Sequence, residues 1–240
     1  MPNTTKLTVD KKPIKVVLVE DHKMFREWLS HLIARKDSFK ICGEADNIQE
    51  AFQIIKDTNP DIVVLDITLR GSSGLELIKD LKAQGIIVPM LVLSMHDEAL
   101  YAERALRAGA KGYITKHEAS STLLKAIHHV LNGGVYLSEK MTGVLLERMS
   151  GQNIKAPVTG IEMLSDRELE VFQMIGKGFN GREVAKQLNL GETTVETYRA
   201  RIREKLNLKN AAELYNRATQ WVLEIGRASC RERVWHCVYM

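Results

Sequence analysis

Five residues of this chain have the chemistry to hold a cation and a phosphoryl group, provided the fold brings them together. Glu20-Asp21 close one β-branched run, Asp66 closes a second, Ser94 closes a third, and Lys116 follows a fourth by two residues. Three carboxylates held close repel one another unless a cation sits among them, and an all-oxygen set suits Mg²⁺. With the ion in place Asp66 is usable as a nucleophile toward phosphorus, while Lys116 and Ser94 bind the phosphoryl oxygens. One acid at a strand end is commonplace as a helix cap or surface charge. Five such residues in this order are not.

The elements that must position them are legible in the apolar pattern. Short runs at 14–19, 39–45, 62–65, 90–93 and 112–114 alternate with amphipathic stretches near 24–35, 48–57, 75–84, 98–108 and 120–132. Five strands, each followed by a helix, make a parallel sheet covered on both faces, because parallel strands need crossover connections. The strands read as continuous apolar runs, as doubly covered strands should. The fold class is therefore α/β, a doubly wound five-stranded parallel sheet over residues 10–132, followed by an all-α segment. In such a sheet ligands bind beyond the carboxyl ends of the strands, where all five residues fall.

Over about 120 residues this constellation resembles the flavodoxin-like receiver domain of two-component response regulators. The resemblance implies that Glu20, Asp21, Asp66 and the backbone carbonyl of Thr68 hold Mg²⁺, and that Asp66 accepts phosphate from a sensor histidine kinase. It further implies that Ser94 senses the phosphoryl group, that Lys116 neutralises it, and that Tyr113 is the switch aromatic, turning inward as Ser94 moves. Thr68 and His96 stand where phosphate lifetime is tuned. The chain departs from the family in having His117 where proline often follows the lysine, and the bulky Met95 where a small residue is common. A phosphatase of the haloacid-dehalogenase type also uses a strand-end aspartate, but it needs a second carboxylate two residues on as acid and base. Here Asp66-Ile67-Thr68 places a threonine there, and the enzyme reading loses.

Gly133-Gly134 cap the fifth helix, and Ser138 opens a short one over 139–149. Residues 133–163 thus read as a linker with one helix, its polar Gly- and Pro-containing part lying at 150–160. From Leu164 to Glu224 the period is wholly helical, with four helices expected. Ser165-Asp166-Arg167-Glu168 has the capping-box pattern. Gly176-Lys177-Gly178-Phe179-Asn180-Gly181 matches the dinucleotide fingerprint letter for letter, yet it follows a helix rather than a strand and reads as a turn. Helices at 182–188 and 192–206, joined by Asn189-Leu190-Gly191, suggest a helix-turn-helix. In the second helix Val195, Tyr198, Ile202 and Leu206 make one inward stripe. The other face carries Thr193, Thr194, Glu196, Thr197, Arg199, Arg201 and Arg203, groups able to meet base edges and phosphates in a major groove. Residues 199–209 hold five bases against Glu204, while 162–170 hold four acids against Arg167, the polarised charge a phosphate-binding face requires.

This segment resembles the LuxR-type helix-turn-helix of NarL/FixJ regulators at Leu164-Ser165-Asp166-Arg167-Glu168-Leu169-Glu170-Val171, Gly178, Arg182-Glu183-Val184-Ala185, Thr194-Val195-Glu196 and Lys205-Leu206. Arg182 and Lys205 join the DNA-contacting residues by that resemblance, and the last helix, 211–224, pairs two copies on DNA. Gly191 stands where a serine usually caps the recognition helix, and Gly181 where asparagine is common. Glu192 and Glu196 near the start of that helix repel phosphates, although a glutamate can accept from cytosine N4. Taken together, the two resemblances imply a transcription regulator, not an enzyme, in which phosphorylation of Asp66 controls dimerisation and binding to double-stranded promoter DNA. RNA polymerase is a further possible partner.

Composition agrees. At 240 residues, 45% hydrophobic and 27% charged, the chain has room for two globular domains. Its longest apolar run, 86–93, contains Pro89 and is far short of the roughly 20 residues that span a bilayer. The first residues lack the apolar core of a secretory signal, so a cytoplasmic protein is expected. Residues 225–240 differ from the rest, being arginine-rich and holding two of the three cysteines, Cys230 and Cys237. Their first ten residues resemble a sequencing-adapter oligonucleotide read through in frame, and a non-native tail is expected there. Without it the net charge of +4 falls to +2, and Cys42 is the sole thiol.

Overall fold

Every strand of the main sheet is an apolar run with few polar interruptions, and each is paired in parallel to its neighbour. In the computed structural model, which describes residues 12–69, 72–95, 98–149 and 160–236 (side chains at 99, 100, 147–149 and 225–236 excepted), the sheet strands are β1 (Ile14–Val19), β2 (Phe39–Ala45), β3 (Ile62–Asp66), β6 (Met90–Ser94) and β7 (Gly112–Thr115). The helices between and after them are α1 (Lys23–Ala34), α2 (Ile48–Thr58), α3 (Gly74–Ala83), α4 (Glu98–Ala108) and α5 (Ala119–Leu131). A two-residue antiparallel ladder, β4 (Thr68–Leu69) with β5 (Ser72–Ser73), lies between β3 and α3 and had no signal in the apolar pattern.

The strand order is β2-β1-β3-β6-β7, the doubly wound order with its reversal between β1 and β3. Because side chains alternate along a strand, β1 serves both layers. Val16 and Leu18 pack with Leu29 and Ile33 of α1 and Leu123 and Ile127 of α5. Val17 faces the other way, toward the α2 side, where the α-carbon of Gly43 lies so close to Ile54 that a methyl group there would sit 2.2 Å from it. Strand register levels the carboxyl ends: Val19 pairs with Leu65, Asp66 with Leu93, and Ser94 with Thr115. The crevice beyond β1 and β3 therefore receives Glu20, Asp21 and Asp66 side by side.

The segment after α5 does not leave the sheet at once. Tyr136 runs parallel to β7, its N–H donating to the Lys111 carbonyl and its carbonyl accepting from the Tyr113 N–H, at 3.0 and 2.9 Å. Ser138 caps α6 (Glu139–Met149) through its Oγ, which accepts from the Met141 N–H, and its own N–H donates to Glu98 of α4 at 2.8 Å. Part of the stretch read as linker is thus fastened to the α/β unit. The chain divides into two compact units after residue 150.

The second unit is all helical: a 3₁₀ turn at Ile161–Met163, then α7 (Asp166–Gly176), α8 (Gly181–Gln187), α9 (Glu192–Lys205) and α10 (Ala211–His236). Ser165 caps α7 in a capping box with Glu168, as its spacing indicates. Asn180 does the same for α8 with Glu183, so the glycine run 176–181 is a turn and a cap, with Gly178 at φ +92°. A methyl group at Gly176 would lie 2.4 Å from the Ala218 carbonyl, so α7 and α10 pack with their backbones nearly touching. Helix α10 continues beyond the expected end at Glu224 to His236, because the added stretch holds helix formers such as Ala228, Arg231, Glu232 and Arg233 and no proline stop. The tail's side chains, and residues 237–240 altogether, lie outside the described residues. No helix among the described residues is long and apolar enough to cross a membrane.

Candidate functional site

In the α/β unit the buried carboxylates among the described residues are Glu20, Asp21 and Asp66, all in the crevice where strand order reverses. Burying three acids is costly unless each finds a countercharge. Lys116 supplies one for two of them: its Nζ lies 2.7 Å from Glu20 Oε2 and 2.8 Å from Asp66 Oδ2. Its ammonium sits over the Phe25 ring, 4.7 Å from the centroid, and its backbone N–H donates to the Ser94 carbonyl at 2.8 Å. The Lys116–His117 bond is trans, as is every described peptide bond. Asp66 Oδ1 accepts from the Thr68 N–H at 3.3 Å, so both oxygens of the carboxylate are held.

Burial pushes the Asp66 carboxyl up to about 7, opposed by Lys116 and reinforced by Glu20. For Lys116 burial disfavours the charge, but Asp66 and Glu20 outweigh it and hold the ammonium above its ordinary value. The stability consequence follows from linkage. A carboxyl whose folded pKa exceeds its unfolded value of 3.8 makes the folded state hold the extra proton, so its contribution falls as pH rises from about 4 to about 7. In chelator, Asp66→Asn should therefore be more stable than wild type at pH 8, with the gap closing toward pH 4. Urea unfolding at both pH values measures it. A gap that is constant or that widens on acidification contradicts the assignment.

Asp21 is nine-tenths buried and its Oδ1 has no hydrogen-bond partner, a state a cation would relieve. Glu20, Asp21, His22 and Asp66 each offer a ligand atom within 4.8 Å of the others. The hard oxygen donors fit Mg²⁺. Ser94 and Tyr113 are buried on the adjoining strands, and Tyr113 is already inward in this structure. Met95 is exposed at the rim, and His96 lies outside the described residues. Sequence reasoning missed His22, Phe25 and Arg26, whose guanidinium donates to the Glu20 carbonyl. It also missed Gly74, where a methyl group would lie 2.1 Å from the Asp66 carbonyl, so only glycine lets α3 start this close to the acid loop.

In the helical unit Val195 and Ile202 are fully buried, while Tyr198 and Leu206 are half-buried, leaving α9 anchored on one side. Thr193, Thr194, Glu196, Thr197 and Arg201 are exposed, Arg203 is half-buried, and Arg182 is exposed beside Glu192, Nε to Oε1 3.3 Å. Two of the cations named as DNA contacts are engaged with side chains of the unit itself. Arg199 donates to Glu196 Oε1 at 2.6 Å and to the Tyr215 hydroxyl at 3.1 Å, and lies over the Tyr215 ring, so it braces α9 against α10. Lys205 donates to Glu168 Oε2 at 2.7 Å and to the Met163 carbonyl at 3.2 Å, tying the end of α9 to the start of α7. Burial works against ionisation of Glu168, yet the Lys205 and Ser165 donors hold its carboxyl below the ordinary range. Gly191 precedes α9 without a side-chain cap, and Asn189 makes the turn before it at φ +50°.

A buried acidic crevice with a bridging lysine at the switch point of a doubly wound sheet, joined to a helix-turn-helix unit, defines a two-part regulator. Residues 16–128 match the response regulator receiver domain family, and residues 162–218 match the family of bacterial regulatory proteins of luxR type. The oxygen regulatory protein NreC of Staphylococcus carnosus is 32% identical, over 84% of this chain and 94% of its own. A LuxR-family two-component response regulator from Aurantimonas is similar in structure, with a TM-score of 0.54 at 32% identity, covering 58% of this chain and 99% of that one. RcsB of Salmonella enterica serovar Typhimurium, solved bound to a promoter with the phosphomimetic BeF₃⁻, shares the fold with a TM-score of 0.55 at 20% identity, over 87% and 99% of the two chains. The chain belongs to the response regulators that join a receiver domain to a LuxR-type helix-turn-helix, a family of transcription regulators rather than enzymes.

Proposed function

We propose that Asp66 accepts a phosphoryl group from a sensor histidine kinase and that this modification controls pairing of the chain and its binding to promoter DNA. The observation that carries the reading is the buried Lys116 ammonium bridging Asp66 and Glu20 at the ends of the central strands. In the transfer, Asp66 attacks phosphorus, a P–O bond forms as the donor's P–N bond breaks, and the imidazole leaves with the electron pair. Lys116 already lies within hydrogen-bond reach of the nucleophile and balances the charge that the phosphoryl oxygens bring. Ser94, next to Thr115 in register, offers a hydroxyl on the same edge. Glu20, Asp21, Asp66 and the Thr68 carbonyl would hold Mg²⁺, whose charge offsets that of the phosphoryl oxygens when bound. The acquired charge of roughly −1.5 to −2 acts only by favouring one receiver conformation over another, with Ser94 and Tyr113 as the groups that differ between them.

Toward DNA, the exposed Thr193, Thr194, Glu196 and Thr197 are the base-reading candidates and Arg182, Arg201 and Arg203 the phosphate contacts. Arg199 and Lys205 support the helix they sit on. Two copies would pair through α10, and contact with RNA polymerase would follow from promoter binding. A cytoplasmic location follows from the kinase and DNA partners. Capturing genomic fragments on the full chain, then titrating a captured duplex at several salt concentrations, tests this part. Arg201→Ala and Arg203→Ala should each weaken binding and lower the slope of log affinity against log salt by about 1, as expected when one phosphate is no longer neutralised. Slopes equal to wild type remove those residues from the interface.

A further inference from the structure

We propose that Phe25 is a positioning residue for phosphoryl transfer, holding the Lys116 ammonium over the crevice through the face of its ring. This rests on the reading of Asp66 as the phosphoryl acceptor and of Lys116 as the group that meets the phosphoryl oxygens, and it adds to that site a side chain with no hydrogen-bonding group. Lys116 Nζ lies 4.7 Å from the Phe25 centroid, inside the roughly 6 Å over which a ring face attracts a cation. The lysine side chain is buried, and its acidic partners among the described residues are Glu20 and Asp66, at 2.7 and 2.8 Å. Phe25 stands in the first turn of α1, which opens at Lys23, two residues after Asp21. With Leu29 and Ile33 it makes one apolar stripe at a spacing of four, and it packs, partly buried, against the core to which those two belong. Trp28, one turn on, stacks on the ring with centroids 5.2 Å apart and planes 27° from parallel, which fixes how the ring is turned.

An ammonium that has to exchange partners needs a hold that survives the exchange. Hydrogen bonds to Glu20 and Asp66 are directional, and they are given up as Lys116 turns to the phosphoryl oxygens. Attraction to a ring face is less directional, so it persists while the N–H groups re-aim, and it is stronger for a desolvated ammonium than for an exposed one. The ring's share of the hold is therefore greatest in the transition state, when the ties to the carboxylates are weakest, and that difference is what raises the rate. The rival role for Phe25 is apolar packing at the end of the α1 stripe.

The rate at which acetyl phosphate with Mg²⁺ labels the full chain, followed by intact mass, distinguishes the two. Phe25→Leu should slow labelling roughly fivefold or more. Phe25→trifluorophenylalanine keeps the ring's size and apolar character while stripping its face of negative charge, and it should slow labelling about as much as leucine does. Because the fluorinated ring packs like the native one, a wild-type rate in that variant would overturn the proposal and leave Phe25 a packing residue. In the Lys116→Ala background Phe25→Leu should add no further slowing, since the two side chains act as one unit, and an added slowing of similar size would also overturn the proposal. Lys116→Ala alone separates the two levels of the reading. Labelling at the wild-type rate would remove Lys116 from the transfer and the underlying reading with it, whereas slow labelling of Lys116→Ala beside normal labelling of both Phe25 variants would sink this inference only.

Discussion

Asp66→Asn is expected to abolish incorporation of phosphate from either a histidine kinase or a small phosphodonor, with no residual labelling elsewhere in the chain. The amide keeps the shape of the carboxylate and can still accept from the Thr68 N–H, and Lys116 keeps Glu20 as its partner at 2.7 Å. What it lacks is an anionic oxygen able to attack phosphorus. Because asparagine also removes the cost of burying a charge, the variant should be folded and at least as stable as wild type near pH 8. Loss of labelling then cannot be ascribed to unfolding. Mass spectrometry of the intact chain after exposure to a phosphodonor and Mg²⁺ reads the result, and undiminished labelling of the variant would remove Asp66 from its role.

The second large effect lies in the helical unit. Arg167 is buried in α7, where it pairs with Glu170 one turn on, and its guanidinium donates to the Leu188 carbonyl at the end of α8 at 3.2 Å. Removing one partner of a buried pair leaves an uncompensated charge and costs about 3–5 kcal/mol. Whole domains are stable by only about 0.05–0.15 kcal/mol per residue, so a unit this small has little to spare. Arg167→Ala should therefore unfold the helical unit near room temperature and eliminate DNA binding. Helical circular dichroism of the full chain would drop while phosphate incorporation at Asp66 persists. The double variant Arg167→Met, Glu170→Leu should recover the fold, since replacing both charges by apolar groups of similar volume is commonly neutral or favourable. Failure of the double variant to recover would mean that the Leu188 contact, not charge pairing, is what matters.

Much of this site is legible in the amino-acid sequence, for a physical reason. A parallel strand buried on both faces must be apolar throughout, so a carboxylate that ends one is conspicuous, and Glu20, Asp21 and Asp66 each stand at such an end. The buried stripe of α9 is legible in the same way, from Val195 and Ile202 at helical spacing. Long side chains are not. Spacing places Arg199 on the outward face of α9 and the family resemblance adds Lys205 to the DNA contacts, but a guanidinium or ammonium on a flexible stem goes where its partner is, here Tyr215 and Glu168. Those partners are 16 and 37 residues away in the chain, beyond the reach of any periodicity. His22 is hidden because a histidine next to two acids reads as charge balance until its ring nitrogen is seen between them. The Asn180 cap has a signal, Asn-x-x-Glu, identical in form to the Ser165 box, and the glycines around it mask it. The continuation of α10 past Glu224 shows the opposite limit, where helix-forming composition without a stop signal extends an element beyond its expected end.

The most direct test of the account joins its two halves in one titration. Anisotropy of a captured promoter duplex would be followed as the full chain is added, with and without a phosphodonor and Mg²⁺, for wild type and Asp66→Asn. Wild type should bind more tightly by roughly fivefold or more when phosphorylated, the lower end of typical coupling between sites, and Asp66→Asn should bind the same in both conditions. A wild-type affinity indifferent to the phosphodonor, or an equal gain in Asp66→Asn, would contradict the claim that Asp66 controls the DNA-binding unit.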